Sequence, residues 1–274
     1  MTYSINTNSG ALVALQNLTS TQMDLAKTQN IISTGKMINT AKDNGAVWSI
    51  ANTMTGKVMA LDAVKNSLNS ATSTIDVAMS AGQQVADLLS QLKAQALAAS
   101  DTSLNTASRT SLNQNFKSLL TQLTDVVSNA SFNGVNMINS GGTTIQAIAS
   151  DAGTKITVAA QSLALGGSNV TIAAAASFAT AAAASAYVAT LTTDITNVNT
   201  ALSALGTGAS TLASQLKFVS SLQNSLNTGI SNLVDADMAA ESAQLQALQT
   251  KQQLGIQALS IANQSTSAML SLFR

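Results

Sequence analysis

The sequence predicts a mainly α fold: a long antiparallel helical bundle or coiled coil that pairs the N- and C-terminal arms, with a small β-hairpin region in the middle. Three observations carry that prediction. Both ends bear apolar residues at helical spacing with almost no charge. There is no proline among the 274 residues, so no helix need be kinked or stopped. Glycine-punctuated alternation of apolar and polar residues is confined to one short central stretch.

Residues 1 to 40 contain only Asp24, Lys27 and Lys36 as charged groups, and Ala11, Leu15, Leu18, Leu25 and Ile32 recur at steps of three, four or seven. That spacing lays one apolar stripe on one helix face. At the other end Val234, Met238, Leu245, Leu248, Leu259, Ala262, Met269 and Phe273 keep the same stepping, with Leu254, Ala258, Ile261, Ala268 and Leu272 as a second seam beside it. Such stripes suit each other or copies of themselves. An assembly interface is therefore expected at Leu15, Leu18, Leu25, Ile32, Leu245, Leu248, Leu259, Ala262, Met269, Leu272 and Phe273. Ordering these long arms costs more backbone entropy than their own stripes return, so each arm is expected to need partner surface and to order on assembly.

Between the arms, Ser33-Thr34-Gly35 and Asp43-Asn44-Gly45 supply turn chemistry. A helix of some fifty residues is expected from Ala46 to Ser100, on the stripe Val47, Ile50, Met54, Val58, Leu61, Val64, Leu68, Ile75, Met79, Leu89 and Leu92. Asp101 to Asn105 read as a polar turn. Leu112, Phe116, Leu119, Leu123 and Val126 define the next helix face, and Asn133-Gly134 ends that segment. In 139 to 175, Gly141-Gly142, Asp151-Ala152-Gly153 and Gly166-Gly167 separate short alternating runs, so Ile145 with Ala147, Ile156 with Val158 and Val170 with Ile172 predict a small hairpin or two. Helix resumes from about Phe178 to Leu233. Gly206 and Gly208 each cost it roughly 1 kcal/mol relative to Ala, which leaves room for a local break there. The arms 1–40 and 235–274 then form a terminal coiled coil, 41–138 and 178–234 a helical rod, and 139–177 the hairpin region.

Chemistry is sparse. Hydrophobic residues make up 46% of the chain but charged ones only 9%, against about 25% in ordinary globular domains. Twelve basic and twelve acidic residues cancel, leaving no net attraction to nucleic acid or an anionic membrane. Zero net charge also removes the self-repulsion that keeps copies apart. The chain has no cysteine and no histidine, which excludes a disulfide framework, a cysteine nucleophile and the usual proton shuttle. No enzyme activity, cofactor or metal is expected, because nothing pairs a nucleophile with a base. Asp235, Asp237 and Glu241 are the one close carboxylate cluster, and they read as the acidic start of a helix rather than a cation site. The opening MTYSINTNSG has neither a basic start nor an apolar core, so no cleavable secretory signal is expected. The run from Ala173 to Ala189 is interrupted by Ser177, Thr180 and Ser185 and reads as a helix start rather than a membrane anchor. Serine- and threonine-rich stretches read as solvated surface in preference to glycan acceptors, and Trp48 as a core aromatic of the rod in preference to a subunit contact.

Six blocks in order carry a resemblance: INTN at Ile5–Asn8, ALQNL at Ala14–Leu18, STGKMINTAKDNGA at Ser33–Ala46, SFNGVNMI at Ser131–Ile138, DADMAAES at Asp235–Ser242 and QALSIANQSTSAMLSLFR at Gln257–Arg274. They resemble bacterial flagellin, in its short, alphaproteobacterial-type form, over about 1–138 and 178–274. The resemblance implies a structural subunit of the flagellar filament that serves swimming motility, secreted unfolded through the flagellar channel by type III export and assembled outside the cell at the tip. It implies an inner coiled-coil lining made by the chain ends, and an outer layer of rods. It implies as partners other copies, other flagellins, the export apparatus and chaperone, and the cap and hook-associated proteins, with no nucleic acid and no membrane. Where many enterobacterial flagellins carry an Arg, a Leu and a Glu for an innate-immune receptor, this chain has Gln91, Gln95 and Asn115, so weak recognition is expected. A hook-filament junction protein and a secreted coiled-coil translocator share parts of this design and stand as alternatives.

Overall fold

A computed structural model of the chain describes residues 7–271, the side chains of 265–271 excepted. Its elements are α1 (Ser9–Thr34), α2 (Gly45–Ala99), α3 (Thr106–Asn129), β1 (Ile145–Ile148), β2 (Lys155–Val158), α4 (Ala181–Val234) and α5 (Met238–Ser271). The mainly α class and the small antiparallel sheet are those expected. The chain divides into two compact units, Met1–Gly56 with Ser225–Arg274, and Lys57–Asn224.

In the second unit α2 buries Leu61, Val64, Leu68, Ala71, Ile75, Ala78, Val85, Leu89, Leu92, Ala96 and Ala99, at steps of three and four with Gly82 filling the one gap. Helix α4 buries Ala184, Leu191, Val198, Leu205, Leu212 and Val219, one every seven residues. A sustained seven-residue repeat imposes a left-handed supercoil. The two helices run antiparallel: Gln223 Nε2 donates to Asp62 Oδ1 at 2.7 Å, while a Cβ on Gly82 would come within 2.6 Å of Leu202 Cδ2. Gly82 therefore lets the helix axes approach where Leu202 crosses. Helix α3 adds buried Phe116, Leu120, Leu123 and Val127, and the Phe116 ring meets Phe178 edge-on at a centroid distance of 5.1 Å.

Local chemistry fixes the ends. Asn105 Oδ1 accepts from Ser108 N at 2.8 Å and so caps α3. Arg109 ties the α2–α3 turn by donating to the carbonyls of Ala99, Asp101 and Leu104. The Asp101 carboxyl is held below the ordinary carboxylate range, chiefly by the Ser103 backbone N–H that it accepts at 2.8 Å. After α3, Asn133 (φ 48°) and Gly134 (φ 79°) form the turn that the Asn-Gly pair announces, closed by reciprocal backbone bonds between Phe132 and Val135.

Of the one or two hairpins expected in this unit, one forms: β1 and β2 pair from Ile145↔Val158 to Ile148↔Lys155. The strand-like reading of Val170 and Ile172 is corrected, since neither belongs to a strand. The backbone donors of that segment go to a side chain instead, because Thr171 N and Oγ1 reach Asp194 Oδ1 at 2.9 and 2.8 Å and Ile172 N reaches Asp194 Oδ2 at 3.2 Å. Helix α4 begins at Ala181 rather than near Phe178, since Thr180 Oγ1 caps it through Ala183 N while Phe178 N donates to Asn113 Oδ1. Nor does the helix break at Gly206 and Gly208. A Cβ on Gly208 would lie 2.6 Å from Val158 Cγ1, so the residue that costs helix propensity is the one that seats the hairpin on α4.

Candidate assembly surface

The first unit is built on α1 and α5, which pack against each other. Asn8 starts α1: its Oδ1 accepts from Ala11 N at 3.0 Å, and its Nδ2 donates across to Ala262 O at 2.8 Å. Gly35 stops α1 in the left-handed region at φ 69°, with its N–H on Ile31 O at 2.8 Å, the single bond of an αL ending. At the same end Ala236 N donates to Gly35 O at 3.0 Å and Met37 N to Val234 O at 2.7 Å. Asp237 Oδ1 then accepts from Ala239 N and Ala240 N and caps α5, with Glu241 in the first turn. The carboxylate cluster thus does the work of a helix start. In the connection before α2, the Asp43 carboxyl is held below the ordinary carboxylate range, first by Thr40 N at 2.9 Å, then by Thr40 Oγ1 and Asn39 N.

The two helices run in opposite directions, with Asn8 beside Ala262, Leu18 against Gly255 and Gly35 bonded to Ala236. On α1 the positions withdrawn from solvent are Ala11, Ala14, Leu18, Thr21, Leu25, Thr28 and the pair Ile31 and Ile32. On α5 they are Glu241, Leu245, Leu248, Gln252, Gly255, Leu259 and Ala262. Both follow the alternating three-four spacing of an antiparallel coiled-coil seam. Leu18, Leu25, Ile32, Leu245, Leu248, Leu259 and Ala262 lie on this seam. Leu15 does not: it is 49% exposed, because the seam turns through Ala14 instead. The assignments to Leu272 and Phe273, and to the side chain of Met269, fall outside the described residues.

A stripe read from apolar residues alone missed Thr21, Thr28, Gln252 and Gly255. The signal that finds them is the unbroken seven-residue period, which demands an occupant at each of those positions. A Cβ on Gly255 would come within 3.3 Å of Leu18 Cδ1, so Leu18 fits there against bare backbone.

Large apolar side chains also lie outside the seam. Leu12, Val13, Leu15 and Met23 on α1 and Leu254, Ile256 and Ile261 on α5 are exposed, Ile261 by 68%. So many exposed large apolar side chains on two paired helices mark an interaction surface. Trp48, expected in a core, is 37% exposed near the start of α2, because the helix turns Ala51 inward and leaves the indole outside. Gln91 and Asn115 are exposed, and Gln95 is half-buried with its Oε1 unpartnered.

Comparison with known proteins decides the family. Residues 5–143 match the bacterial flagellin N-terminal helical region and residues 188–273 match the bacterial flagellin C-terminal helical region. The chain belongs to the bacterial flagellin family. Flagellin FljM of Caulobacter vibrioides is 53% identical over 271 residues, covering 99% of this chain and 98% of that one. Flagellin FljO of the same organism is 51% identical over 271 residues, with the same coverage. A flagellin of Brucella melitensis is 40% identical over 285 residues, covering 99% of each. A crystal structure of Bacillus cereus flagellin is similar at a TM-score of 0.49 and 18% identity, over 56% of this chain and 88% of that one. Among the described residues no helix is long and apolar enough to cross a membrane.

Proposed function

We propose that this flagellin is a structural, non-enzymatic subunit that polymerises with other flagellin copies into an extracellular flagellar filament for swimming. The observation that carries the proposal is the outward apolar face of the α1–α5 pair, Leu12, Leu15, Leu254 and Ile261 among it, which no part of the same seam covers. Neighbouring copies bury that face, and the bundle lines the filament. In this arrangement 1–40 with 235–274 act as the filament-core coiled coil, 41–138 with 178–234 as the surrounding rod, and 139–177 as a small hairpin region in place of larger outer domains. Of the residues expected at the assembly interface, Leu15 keeps that role at the contact between copies, whereas Leu18, Leu25, Ile32, Leu245, Leu248, Leu259 and Ala262 hold the α1–α5 seam that presents it. Delivery is by the flagellar export apparatus and its chaperone in an unfolded state, and assembly is at the tip beside cap and hook-associated proteins. Gln91, Gln95 and Asn115 in place of Arg, Leu and Glu support weak recognition by the innate-immune receptor.

The test is seeded growth. Purified chain is added to sheared filament fragments and elongation is followed by electron microscopy. Leu15→Asp places an unpaired charge in the buried contact between copies while leaving the intrachain seam intact, so it is expected to abolish elongation with an unchanged circular dichroism spectrum. Leu259→Asp is expected to abolish elongation as well, and to weaken the α1–α5 pair. Normal filaments from Leu15→Asp would refute the placement, and failure of the unaltered chain to elongate seeds would refute the subunit role.

A further inference from the structure

We propose that Lys217 and Phe218 on α4 of one molecule dock into a groove between α2 and α3 of a second copy, a contact that rests on the filament-subunit function proposed above. The groove has a volume of about 590 Å³. Ala81 and Ala130 are buried in it, Val77 and Val126 are half-buried, and Asp76 and Asp125 stand exposed at its margins, one from each helix. The trough is apolar at Val77, Ala81, Val126 and Ala130, polar at Ser80, Gln84 and Asn129, and lies between two carboxylates. What fits such a trough is an apolar side chain accompanied by a cation.

Helix α4 presents that pair. Phe218 is 59% exposed, more than any other aromatic side chain among the described residues, and Lys217 beside it is exposed as well. Leu222 lies one turn further along the same face and is also exposed, so Phe218 and Leu222 form a ridge with the ammonium at its flank. An aromatic anchor seated in a pocket of small side chains, with opposite charges meeting at the rim, is the arrangement that concentrates binding energy at interfaces.

The same molecule cannot fill its own groove. Gln223 pairs with Asp62 and Gly82 faces Leu202, which puts Phe218 level with residue 66 or 67 of α2. Asp76 is some ten residues further on, about 15 Å at 1.5 Å per residue, well beyond the reach of a phenylalanine side chain. Ridge and groove occupy different faces of one chain, so joining them is head-to-tail. A contact of that symmetry closes into a ring or propagates as a helical polymer, and does not stop at a two-fold dimer.

The experiment is seeded elongation of full-length chains, read as the critical concentration. Phe218→Ala is expected to raise it at least about tenfold. Lys217→Glu is expected to raise it too, and Lys217→Glu combined with Asp76→Lys and Asp125→Lys to bring it back toward the unaltered value. All of these positions are exposed, so thermal melts of the monomers should coincide. Unaltered chains that elongate while Phe218→Ala elongates equally well, or a charge exchange no better than Lys217→Glu alone, would overturn this contact and leave the filament function standing. Unaltered chains that fail to elongate would overturn both.

Discussion

Asp194 offers the sharpest test of how the second unit holds together. Its carboxylate is fully buried in α4 and accepts from Thr171 N, Thr171 Oγ1 and Ile172 N. In Asp194→Asn the shape is kept, but one acceptor oxygen becomes a donor. If the amide oxygen stays with Thr171, the new NH2 points at Ile172 N–H; if it turns over, the NH2 points at Thr171 N–H. Either way one buried backbone donor loses its partner, which costs about 1–3 kcal/mol. Removing a buried charge offsets part of this, since a neutral amide is cheaper to desolvate, so the net loss is expected at the lower end, about 1–2 kcal/mol. For a unit of this size each kcal/mol lowers the melting temperature by roughly 2–4 °C, and a fall of about 2–8 °C follows. Circular dichroism melts of the full chain measure it, and hydrogen exchange localises it, with protection expected to drop at Thr171 and Ile172 before the helices open. Equal melting temperatures and unchanged protection at those two amides would refute the role assigned to Asp194.

Gly206→Ala and Gly208→Ala should change stability in opposite directions. A Cβ at Gly206 meets nothing within 4 Å, so the helix gains up to about 1 kcal/mol, whereas at Gly208 it lies 2.6 Å from Val158 Cγ1 and overpacking of about 1–3 kcal/mol outweighs the same gain. Thermal melts that move the same way for both would contradict the account of the hairpin seat. Because the Asp101 carboxyl is held below its ordinary value of 3.8, its support for the α2–α3 turn is complete at neutral pH and is lost only as pH falls through the lowered value. An NMR titration should therefore find the Ser103 amide shift constant down to about pH 4, and a midpoint above 3.8 would refute the bond. Trp48 is the single tryptophan of the chain, so its fluorescence reports one site. A subunit contact there predicts a blue-shifted emission on polymerisation, and identical emission from monomer and filament would remove Trp48 from the interface.

What was legible in the sequence was what the chain writes locally. Gly35, Asn105 and Asn133-Gly134 mark ends because their side chains or free φ angles satisfy nearby backbone groups. The long helices follow from their seven-residue spacing and the absence of proline. What was not legible depends on distant partners. Val170 and Ile172 alternate like a strand, yet their backbone is held by Asp194, more than twenty residues away in α4. Gly208 looks like a helix breaker until Val158 is placed against it. At the assembly surface, reading apolar residues at mixed steps of three, four and seven put Leu15 and Leu18 in one stripe. Only the stricter period separates the inward Leu18 from the outward Leu15, and it does so by admitting Thr21, Thr28 and Gln252, which a search for hydrophobes passes over.

The division of apolar surface between the two faces of the α1–α5 pair bears directly on assembly. Counting in opposite directions from the Leu18–Gly255 contact sets Thr21 opposite Gln252, Thr28 opposite Leu245 and Ile32 opposite Glu241. These three layers bury little apolar area, whereas by the same count Leu25 meets Leu248 and Ala14 meets Leu259 in apolar layers. The large side chains, Leu12, Leu15, Met23, Leu254 and Ile261, face outward. Each contributes about 1.5–3 kcal/mol only when another surface covers it. Part of the apolar driving force is thus held for the contact between molecules, while the polar layers set which positions of α1 and α5 meet, the role best attested for polar residues in coiled-coil seams. Thr21→Leu with Gln252→Leu inverts the balance: the pair within a chain should become more stable while its register becomes less defined. A subunit so altered is stabilised before it reaches the polymer and gains less by joining it.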